Sequence, residues 1–386
     1  MSSFKNIVIV GGGMLGGSAV ARALSAKLPA STNANITLIN PLPYTVSLPT
    51  LPRMTVSDGN DLAETALIPF DRLFAAGSKG AFVKGVVEGI HPNRGEGQQS
   101  RGGSVVLADG QEFPYDVLVL APGSVWEGPI DFPLDEQEVN GFLAEQRARF
   151  KKAGKIVLVG GGAVGAEFAG EIKDVWPDKE VTIVHGDTGG LLNSAYPVRF
   201  RTSLAKSLEA RGVNILLGDY VDEIPLADAA ITSAKTRKGS VIEADLVVPT
   251  RGPRPRTEFV AKSLGASVLD ERKQIKVQPT LQLLQHPDIF AVGDAIDTAE
   301  QKQAIKAGAH SAIVVANIIA YLDDPKRPLK AYKPSTRESI VVTNGKGGGR
   351  SYIALLWGFV LGDWFTRLIK AKTLLVSKAR EYMGYN

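Results

Sequence analysis

The stretch IVIVGGGMLGGSAVARAL, residues 7–24, carries the clearest structural pattern in the sequence. Its β-branched run ends in a Gly-x-Gly-x-x-Gly pattern at Gly11, Gly13 and Gly16, and small and apolar residues at helical spacing follow. In such a unit the first glycine permits a tight turn, the second lets the backbone approach a pyrophosphate, and the third lets the helix pack on the strand. The helix N-terminus directs about half a positive charge toward that phosphate. The stretch therefore predicts a strand, turn and helix that bind a dinucleotide.

The same design recurs in IVLVGGGAVGAEFAGEI, residues 156–172, with Gly160, Gly162 and Gly165 at the three glycine positions. A single glycine-rich turn can serve packing alone. Two copies in the same strand-to-helix context indicate two dinucleotide-binding units in one chain. We therefore predict an α/β fold with two Rossmann-like domains.

The residue that closes the second strand of each unit bears on which ribose is held. In the first unit it is Asn40, which can accept one hydrogen bond and donate another; the alternative is that it only caps its strand. In the second unit it is His185, which would not repel a 2′-phosphate, so NADH and NADPH both remain candidates. The alternative for His185 is an ordinary loop residue.

The composition excludes several kinds of redox chemistry. The 386 residues include 44 Lys and Arg, 40 Asp and Glu, and no cysteine. A redox-active disulfide, a thiolate nucleophile and cysteine-held zinc or iron–sulfur centres are therefore excluded, and we expect no metal site. Redox chemistry would have to come from a bound cofactor. A net charge of +4 gives only weak support for nucleic-acid binding.

Two carboxylates stand at positions with a chemical rationale. Asp294 follows a buried strand and Gly293, where a carboxylate can accept from a ribityl hydroxyl of a flavin. Glu167 follows Gly165 in the first helical turn, where the helix dipole favours a carboxylate whatever its function. Elsewhere the sequence predicts a turn at APGS, residues 121–124, and a hairpin loop over residues 94–103.

The order GGGMLGG, APGS, GGGAVGAE and FAVGDA resembles the glutathione-reductase-like flavoproteins, which carry two dinucleotide-binding domains. Within them the chain most resembles the apoptosis-inducing-factor-like NAD(P)H oxidoreductases of the ferroptosis suppressor protein type. The segments KAGAHSAIVVANI, KAYKP and FTRLIKAKTLLVSK extend the likeness over nearly the whole chain. Asn40 in place of an acid and Pro122 in place of a threonine are departures.

The resemblance implies FAD in the first unit and NADH or NADPH in the second. It implies an FAD domain at residues 1–125 and 252–325, an NAD(P)H domain at 126–251, and a small C-terminal α+β module at 326–386. It assigns catalytic roles near the flavin and the acceptor to Glu167, Lys302 and Lys370; solvated surface charges are the alternative for the two lysines. Cofactor contacts are expected at Gly11, Gly12, Gly13, Met14, Leu15, Gly16, Asn40, Arg53, Val87, Ala121, Gly123, Gly160, Gly162, Gly165, His185, Gly293 and Asp294.

The C-terminal module combines apolar and basic residues. From Trp357 onward, the apolar spacing predicts an amphipathic helix or two short ones, through Leu361, Trp364, Leu368, Leu375 and Tyr382. Such a surface could meet a membrane and admit a lipid quinone. The alternatives are a helix packed on the FAD domain and a homodimer contact.

The sequence favours a cytoplasmic protein, with the periphery of a membrane as the alternative. A strand-like run from Asn6 leaves no room for a presequence, and Ser2 in place of glycine excludes myristoylation. The apolar run at 353–362 would be about 15 Å long as helix, too short to span a bilayer.

The leading hypothesis is an FAD-dependent NAD(P)H oxidoreductase with a quinone-like acceptor. Two alternatives stay open. One is a reductase that serves a ferredoxin-like protein, and the other is a flavin-bound signalling or nucleic-acid-binding protein.

Overall fold

The structure is a computed structural model that describes residues 5–28, 32–59, 61–93, 101–225 and 232–385. Over these residues it is an α/β protein with two larger, mainly parallel sheets, two three-stranded antiparallel sheets and three two-stranded ribbons. The first part of the chain supplies β1 (Lys5–Val10), α1 (Gly17–Lys27), β2 (Ala34–Asn40), β3 (Tyr44–Val46), α2 (Leu51–Val56), α3 (Leu62–Ala66), β4 (Leu67–Pro69), β5 (Gly80–Lys84), β6 (Val87–Pro92), β7 (Gly103–Leu107), β8 (Glu112–Tyr115), β9 (Val117–Leu120) and β10 (Ser124–Val125).

The middle of the chain supplies α4 (Glu136–Lys152), β11 (Lys155–Val159), α5 (Ala163–Val175), β12 (Glu180–His185), α6 (Val198–Glu209), β13 (Val213–Leu217), β14 (Ser233–Lys235), β15 (Val241–Glu243) and β16 (Leu246–Pro249). The last part supplies β17 (Arg254–Pro255), α7 (Glu258–Leu264), β18 (Gln282–Leu283), β19 (His286–Ala291), α8 (Ala304–Asp323), β20 (Ile340–Thr343), β21 (Gly349–Ile353), β22 (Phe359–Leu361), α9 (Asp363–Thr366) and α10 (Val376–Tyr382). A π-helical segment, Arg367–Ala371, follows α9 directly.

The first sheet has six strands in the order β18-β19-β9-β1-β2-β5, and its core strands are parallel. Their apolar runs are buried because helices cover a parallel sheet on both faces. Val10 pairs with Leu120, and Leu120 pairs with Ala291. The three strands therefore end at one edge, where the first glycine loop, the turn at Ala121 and the Gly293–Asp294 turn meet.

The second sheet has four parallel strands in the order β13-β12-β11-β16. Val159, Val184 and Pro249 end together. The second glycine loop thus begins at the carboxyl edge of this sheet, as the first does in its own. A short ribbon of β10 and β17 connects the two sheets and adjoins the boundaries predicted at 125 and 252.

The strands β6, β7 and β8 form an antiparallel sheet. The hairpin predicted over residues 94–103 connects β6 and β7, and its residues 94–100 lie outside the described ranges.

The C-terminal module is an antiparallel sheet of β20, β21 and β22 followed by short helical segments. Its β20–β21 loop lies against α5 at Gly170, where a Cβ would come within 2.4 Å of the Gly345 nitrogen. A glycine in mid-helix costs stability, and here it permits this close backbone approach. The contact seats the module beside the second glycine loop.

The helix predicted to begin at Trp357 is wrong in its first part. Trp357 lies in the hairpin turn between β21 and β22, and helix begins at Asp363. Leu356 and Gly358 adopt φ values of 54° and 77°, which make the turn. The apolar residues that follow, Phe359 to Leu361, form the strand β22, in which successive side chains point to opposite faces and not along one helical face.

Within the part of the chain that the structure describes, one helix, α8, is long and apolar enough to cross a membrane by length and composition. Half of its most apolar window is buried in the protein. Ser311 on α8 donates to the carbonyl oxygens of Leu15 and Gly16, which packs the helix on the first glycine loop. A core helix of this kind passes the same test, so it is weak support for a span.

Candidate active site

The first glycine loop has the shape that a dinucleotide turn requires. Gly11 has φ 99°, and a Cβ there would lie 2.1 Å from the Ala121 oxygen. A Cβ at Gly13, by contrast, would meet nothing within 4 Å, so the space above this residue is open. The loop closes as the Gly16 N–H donates to the Gly13 oxygen at 3.0 Å. Open space over backbone at the N-terminus of α1 is the cradle that a pyrophosphate needs.

Asn40 clamps this loop. Its Oδ1 accepts from the Gly12 N–H at 2.8 Å, and its Nδ2 donates to the Leu42 oxygen at 2.8 Å. Its backbone oxygen accepts from Gly85 N–H, which brings the start of β6, and so Val87, to the same edge. Asn40 therefore fixes loop geometry, and its contact with a ribose stays a prediction.

His185 repeats this arrangement in the second unit. Its Nδ1 accepts from the Gly161 N–H at 3.1 Å, and its Nε2 lies 2.8 Å from the Leu192 oxygen, to which it donates. These partners place the ring proton on Nε2 and leave Nδ1 as the acceptor. Asn40 and His185 thus hold the middle glycine of their loops in the same way, which the sequence did not indicate.

The second glycine loop is as well formed as the first. Gly160 has φ 122°, and a Cβ at Gly165 would lie 2.0 Å from the Gly160 oxygen. Thr250 Oγ1 donates to that oxygen at 2.7 Å. A Cβ at Gly162 would meet nothing within 4 Å, so this loop also leaves its phosphate position open.

The Gly293–Asp294 turn lies at the edge of the first sheet. Gly293 has φ 81°, a conformation that favours glycine. Asp294 Oδ2 accepts from Ser124 Oγ at 3.2 Å, beside the turn that contains Ala121 and Gly123. Burial raises the pKa of the Asp294 carboxyl above its ordinary value.

Lys302 is bound to the loop that follows Asp294. Its Nζ donates to the Ile296 oxygen at 2.6 Å, and to Thr298. Burial lowers the pKa of Lys302, and the Asp294 charge acts in the opposite direction. Its amine thus lies near the Asp294 turn, and its approach to a flavin stays a prediction.

Glu167 and Lys370 meet, although they are far apart in sequence. Lys370 Nζ lies 2.6 Å from Glu167 Oε1 and donates also to the Val341 oxygen at 3.1 Å. The Thr343 N–H donates to the same Glu167 oxygen. Both side chains are largely buried, with 14% and 8% of the lysine and glutamate side chains exposed. The pair places a cation and an anion at the second glycine loop, on the side of the C-terminal module.

Arg53 forms an ion pair with Glu171, a second glutamate of the helix α5 that carries Glu167. Its guanidinium binds both oxygens of Glu171 at 2.8 Å and donates to the Ala371 oxygen at 2.9 Å. Burial raises the pKa of Glu171, which the hydrogen bonds from Arg53 oppose. Arg53 therefore joins α2, α5 and the π-helical segment. Its predicted contact with FAD stays a prediction.

Sequence reasoning missed Glu171. A signal was present, because Glu171 follows Glu167 by one helical turn in a stretch, residues 163–172, whose other residues are small or apolar. Two carboxylates on one buried face need cationic partners, and Arg53 and Lys370 supply them.

The two loops and their open phosphate positions fit two dinucleotides. Two parallel sheets, each with a glycine loop at its carboxyl edge, define the class of flavoproteins with two dinucleotide-binding domains. The chain belongs to the pyridine nucleotide-disulphide oxidoreductase family, which matches residues 5–312.

Named relatives extend this assignment. The chain is 43% identical over 333 residues to FAD-dependent oxidoreductase FVFD30 of Flammulina velutipes, covering 86% of this chain and 99% of that protein. It is 31% identical to human ferroptosis suppressor protein 1, covering 99% and 96%. The fold is also that of the sulfide:quinone oxidoreductase of Aquifex aeolicus, with a TM-score of 0.74, 17% identity and coverage of 98% and 92%.

The protein is therefore an FAD-dependent oxidoreductase that uses NADH or NADPH. When bound, FAD supplies the chemistry of accepting two electrons from a nicotinamide and releasing them to an acceptor. The glycine loops, Asp294 and the Glu167–Lys370 pair are this chain's own candidates for binding and orienting the reactants.

Proposed function

We propose that the chain couples oxidation of NADH or NADPH to reduction of a quinone-like acceptor. In the overall reaction NAD(P)H, a proton and the quinone give NAD(P)⁺ and the quinol, so two electrons and two protons reach the acceptor. We assign the first glycine loop to FAD and the second to NAD(P)H.

The observation that carries the proposal is the two-sided nature of the segment at 363–371. On one side Lys370 reaches Glu167 at the second glycine loop. On the other, Trp364 and Leu368 are 77% and 67% exposed. A short segment that joins a buried charge pair to an exposed apolar surface suits an acceptor with an apolar body and a polar head.

Lys370 has a chemical role in this proposal. An oxygen of a quinone gains negative charge as it is reduced, and a fixed cation in a dry site stabilises that charge. The ammonium of Lys370 donates hydrogen bonds to Glu167 and to the Val341 oxygen. The cation is therefore oriented before the acceptor arrives.

Further exposed apolar residues lie on the β21–β22 hairpin of the same module. With Trp364 and Leu368 they form what we call the C-terminal apolar surface: Leu355, Leu356, Trp357, Phe359, Trp364 and Leu368. Trp357 and Leu356 are neighbours in the sequence and are 88% and 75% exposed. An exposed apolar patch marks a site that contacts a partner, a ligand or a membrane. We propose that this surface contacts a membrane from the cytoplasmic side and takes its acceptor from there.

The half-reactions test the proposed function. Under anaerobic conditions, NADH or NADPH should bleach the FAD absorbance, and a short-chain quinone should restore it in stoichiometric amount. A preparation whose flavin is not bleached by either nicotinamide contradicts the whole proposal. Bleaching without reoxidation by quinones contradicts the acceptor alone.

A redox protein is the second candidate acceptor. Arg367, Lys372 and Lys378 are exposed on the same module and could meet an acidic partner. Ferredoxin reduction that falls steeply with ionic strength, together with slow quinone reduction, would favour this candidate.

A further inference from the structure

We propose that His310 is a positioning residue for FAD, which holds the Gly293–Asp294 turn through the Gly293 N–H. The inference rests on the assignment of Asp294 to the flavin made above. Gly293, His310 and Glu300 form a continuous hydrogen-bonded row beneath the turn.

The hydrogen bonds define one state of the imidazole. The Gly293 N–H donates to His310 Nδ1 at 3.2 Å, and His310 Nε2 lies 2.7 Å from Glu300 Oε1. Because Nδ1 accepts, the ring proton of the neutral form is on Nε2 and is donated to Glu300. Burial lowers the pKa of His310, which also favours this neutral form.

Glu300 is built to remain an anion. Its side chain is 1% exposed. Tyr332 Oη donates to both of its oxygens at 3.0 and 2.9 Å, the Ser335 N–H donates at 3.2 Å, and Lys306 Nζ lies 3.6 Å away. Although burial favours the neutral acid, the hydrogen bonds from Tyr332 and His310 hold the pKa of Glu300 below its ordinary value. The carboxylate fixes the tautomer and the orientation of the ring, as in carboxylate–histidine pairs elsewhere.

The turn is therefore held from two sides. Ser124 contacts the Asp294 side chain, and His310 contacts the backbone one residue earlier. The His310 ring lies edge-on to Tyr332, with centroids 4.5 Å apart, so it cannot rotate freely. Gly293 has no side chain to restrict its backbone and adopts a φ of 81°, so the hydrogen bond to His310 favours this conformation over the others that glycine can reach.

The row also reaches the C-terminal module. Tyr332 and Ser335 belong to the strap that runs from α8 to β20, and both bind Glu300. The strap therefore orients Glu300, and it acts on the turn that carries Asp294 only indirectly, through the His310 ring.

Two substitutions separate the two hydrogen bonds of the ring. In His310→Asn the amide oxygen takes the place of Nδ1 and can accept from Gly293, while the bond to Glu300 is lost. In His310→Gln the amide nitrogen takes the place of Nε2 and can donate to Glu300, while Gly293 loses its acceptor. Tyr332→Phe is the control, because it weakens the Glu300 network without touching Gly293.

The holoproteins are compared by the rate of FAD release on dilution, followed by flavin fluorescence, and by the midpoint potential of bound FAD. We expect His310→Gln to release FAD about tenfold faster and to shift the potential. We expect His310→Asn and Tyr332→Phe to stay within about threefold of the natural rate. Equal release rates for the Asn and Gln variants, or a faster rate for Asn, would overturn the proposal.

If His310→Gln does not fold, ¹⁵N-histidine NMR of the natural holoprotein decides. The chain has only 4 histidines, and His310→Asn identifies the resonance. We expect the Nε2–H tautomer and a shift of the ring signals when FAD is reduced. The Nδ1–H tautomer, or signals that do not respond to reduction, would overturn the proposal. These readouts do not depend on nicotinamide or quinone turnover, so they fail separately from the proposed function.

Discussion

The glycines of the two loops divide into those that the fold requires and those that a ligand requires. Gly11 is required by the backbone, because its positive φ and the nearby Ala121 oxygen leave no room for a side chain. Gly13 and Gly162 meet no such limit, since a Cβ there faces open space. Their absent side chains therefore matter for what approaches from outside.

This difference predicts separate effects of alanine at these positions. Gly11→Ala should destabilise the fold by about 1–3 kcal/mol. Gly13→Ala should keep the thermal midpoint of the FAD-free protein and weaken FAD binding about tenfold. Gly162→Ala should raise the KM for the nicotinamide and leave FAD content unchanged. Thermal denaturation, FAD titration and steady-state kinetics measure the three effects; equal loss of stability in all three variants would contradict this division.

A second prediction at the residue scale concerns pH. The folded pKa of His310 lies below its unfolded value near 6.5, so folding favours the neutral ring. The associated stability is fully present above about pH 6.5 and is lost as the pH falls below it. The charged groups that face His310 are Glu300, Asp294 and Lys302.

Because His310→Asn removes this titration, the thermal midpoint of the natural protein should fall more between pH 7.5 and 5.5 than that of the variant. Groups elsewhere, such as His286, titrate in both proteins and cancel in the comparison. Parallel profiles would show that His310 is not protonated during unfolding.

At the scale of elements, the sequence predicted much of what a local pattern controls. Both strand–glycine–helix units are confirmed, because β-branched runs and glycine spacing determine them locally. The start of the C-terminal helix was wrong, because Trp357 and Leu361 fit a helical period by chance while Gly358 forms a hairpin turn. The Arg53–Glu171 pair and the His310–Glu300 row could not be predicted, since each joins residues that only the tertiary fold brings together.

The exposed side chains of Trp364 on α9 and Leu368 in the π-helical segment form the surface proposed to contact the apolar part of the acceptor. Trp364→Ser with Leu368→Ser should raise the KM for a long-chain quinone about tenfold or more, because apolar contact area is lost. The KM for a short, water-soluble quinone should change little. The matched control is Val241→Ser, since Val241 is 67% exposed like Leu368 but lies on the β14–β15 hairpin. An equal effect of the control would contradict a specific acceptor surface.

At the scale of the whole molecule, the buried charge pairs join three parts of the chain. Arg53 on α2 binds Glu171 on α5 and the oxygen of Ala371 in the π-helical segment. Helix α2, the second glycine-loop unit and the C-terminal module therefore meet at one guanidinium. This junction links α2 to the helix that carries Glu167 and to the segment that carries Lys370.

Arg53→Met should therefore destabilise the protein by about 3–5 kcal/mol, because Glu171 is left buried without its partner. The double variant Arg53→Met with Glu171→Leu should recover much of that loss, since no unpaired charge remains. Thermal denaturation of the holoproteins provides the measurement. A double variant no more stable than Arg53→Met would show that the pair is not the cause.

We propose that reduced FAD passes electrons to a quinone-like acceptor beside Lys370. The most direct test of this proposal is the rate at which a short-chain quinone reoxidises the anaerobically reduced holoprotein, in the natural protein, in Lys370→Met and in Lys378→Met. Lys378→Met removes the same charge from an exposed site of the same module. We expect the rate to be at least about tenfold lower in Lys370→Met, and near the natural value in Lys378→Met. Equal rates in all three proteins would contradict the proposal.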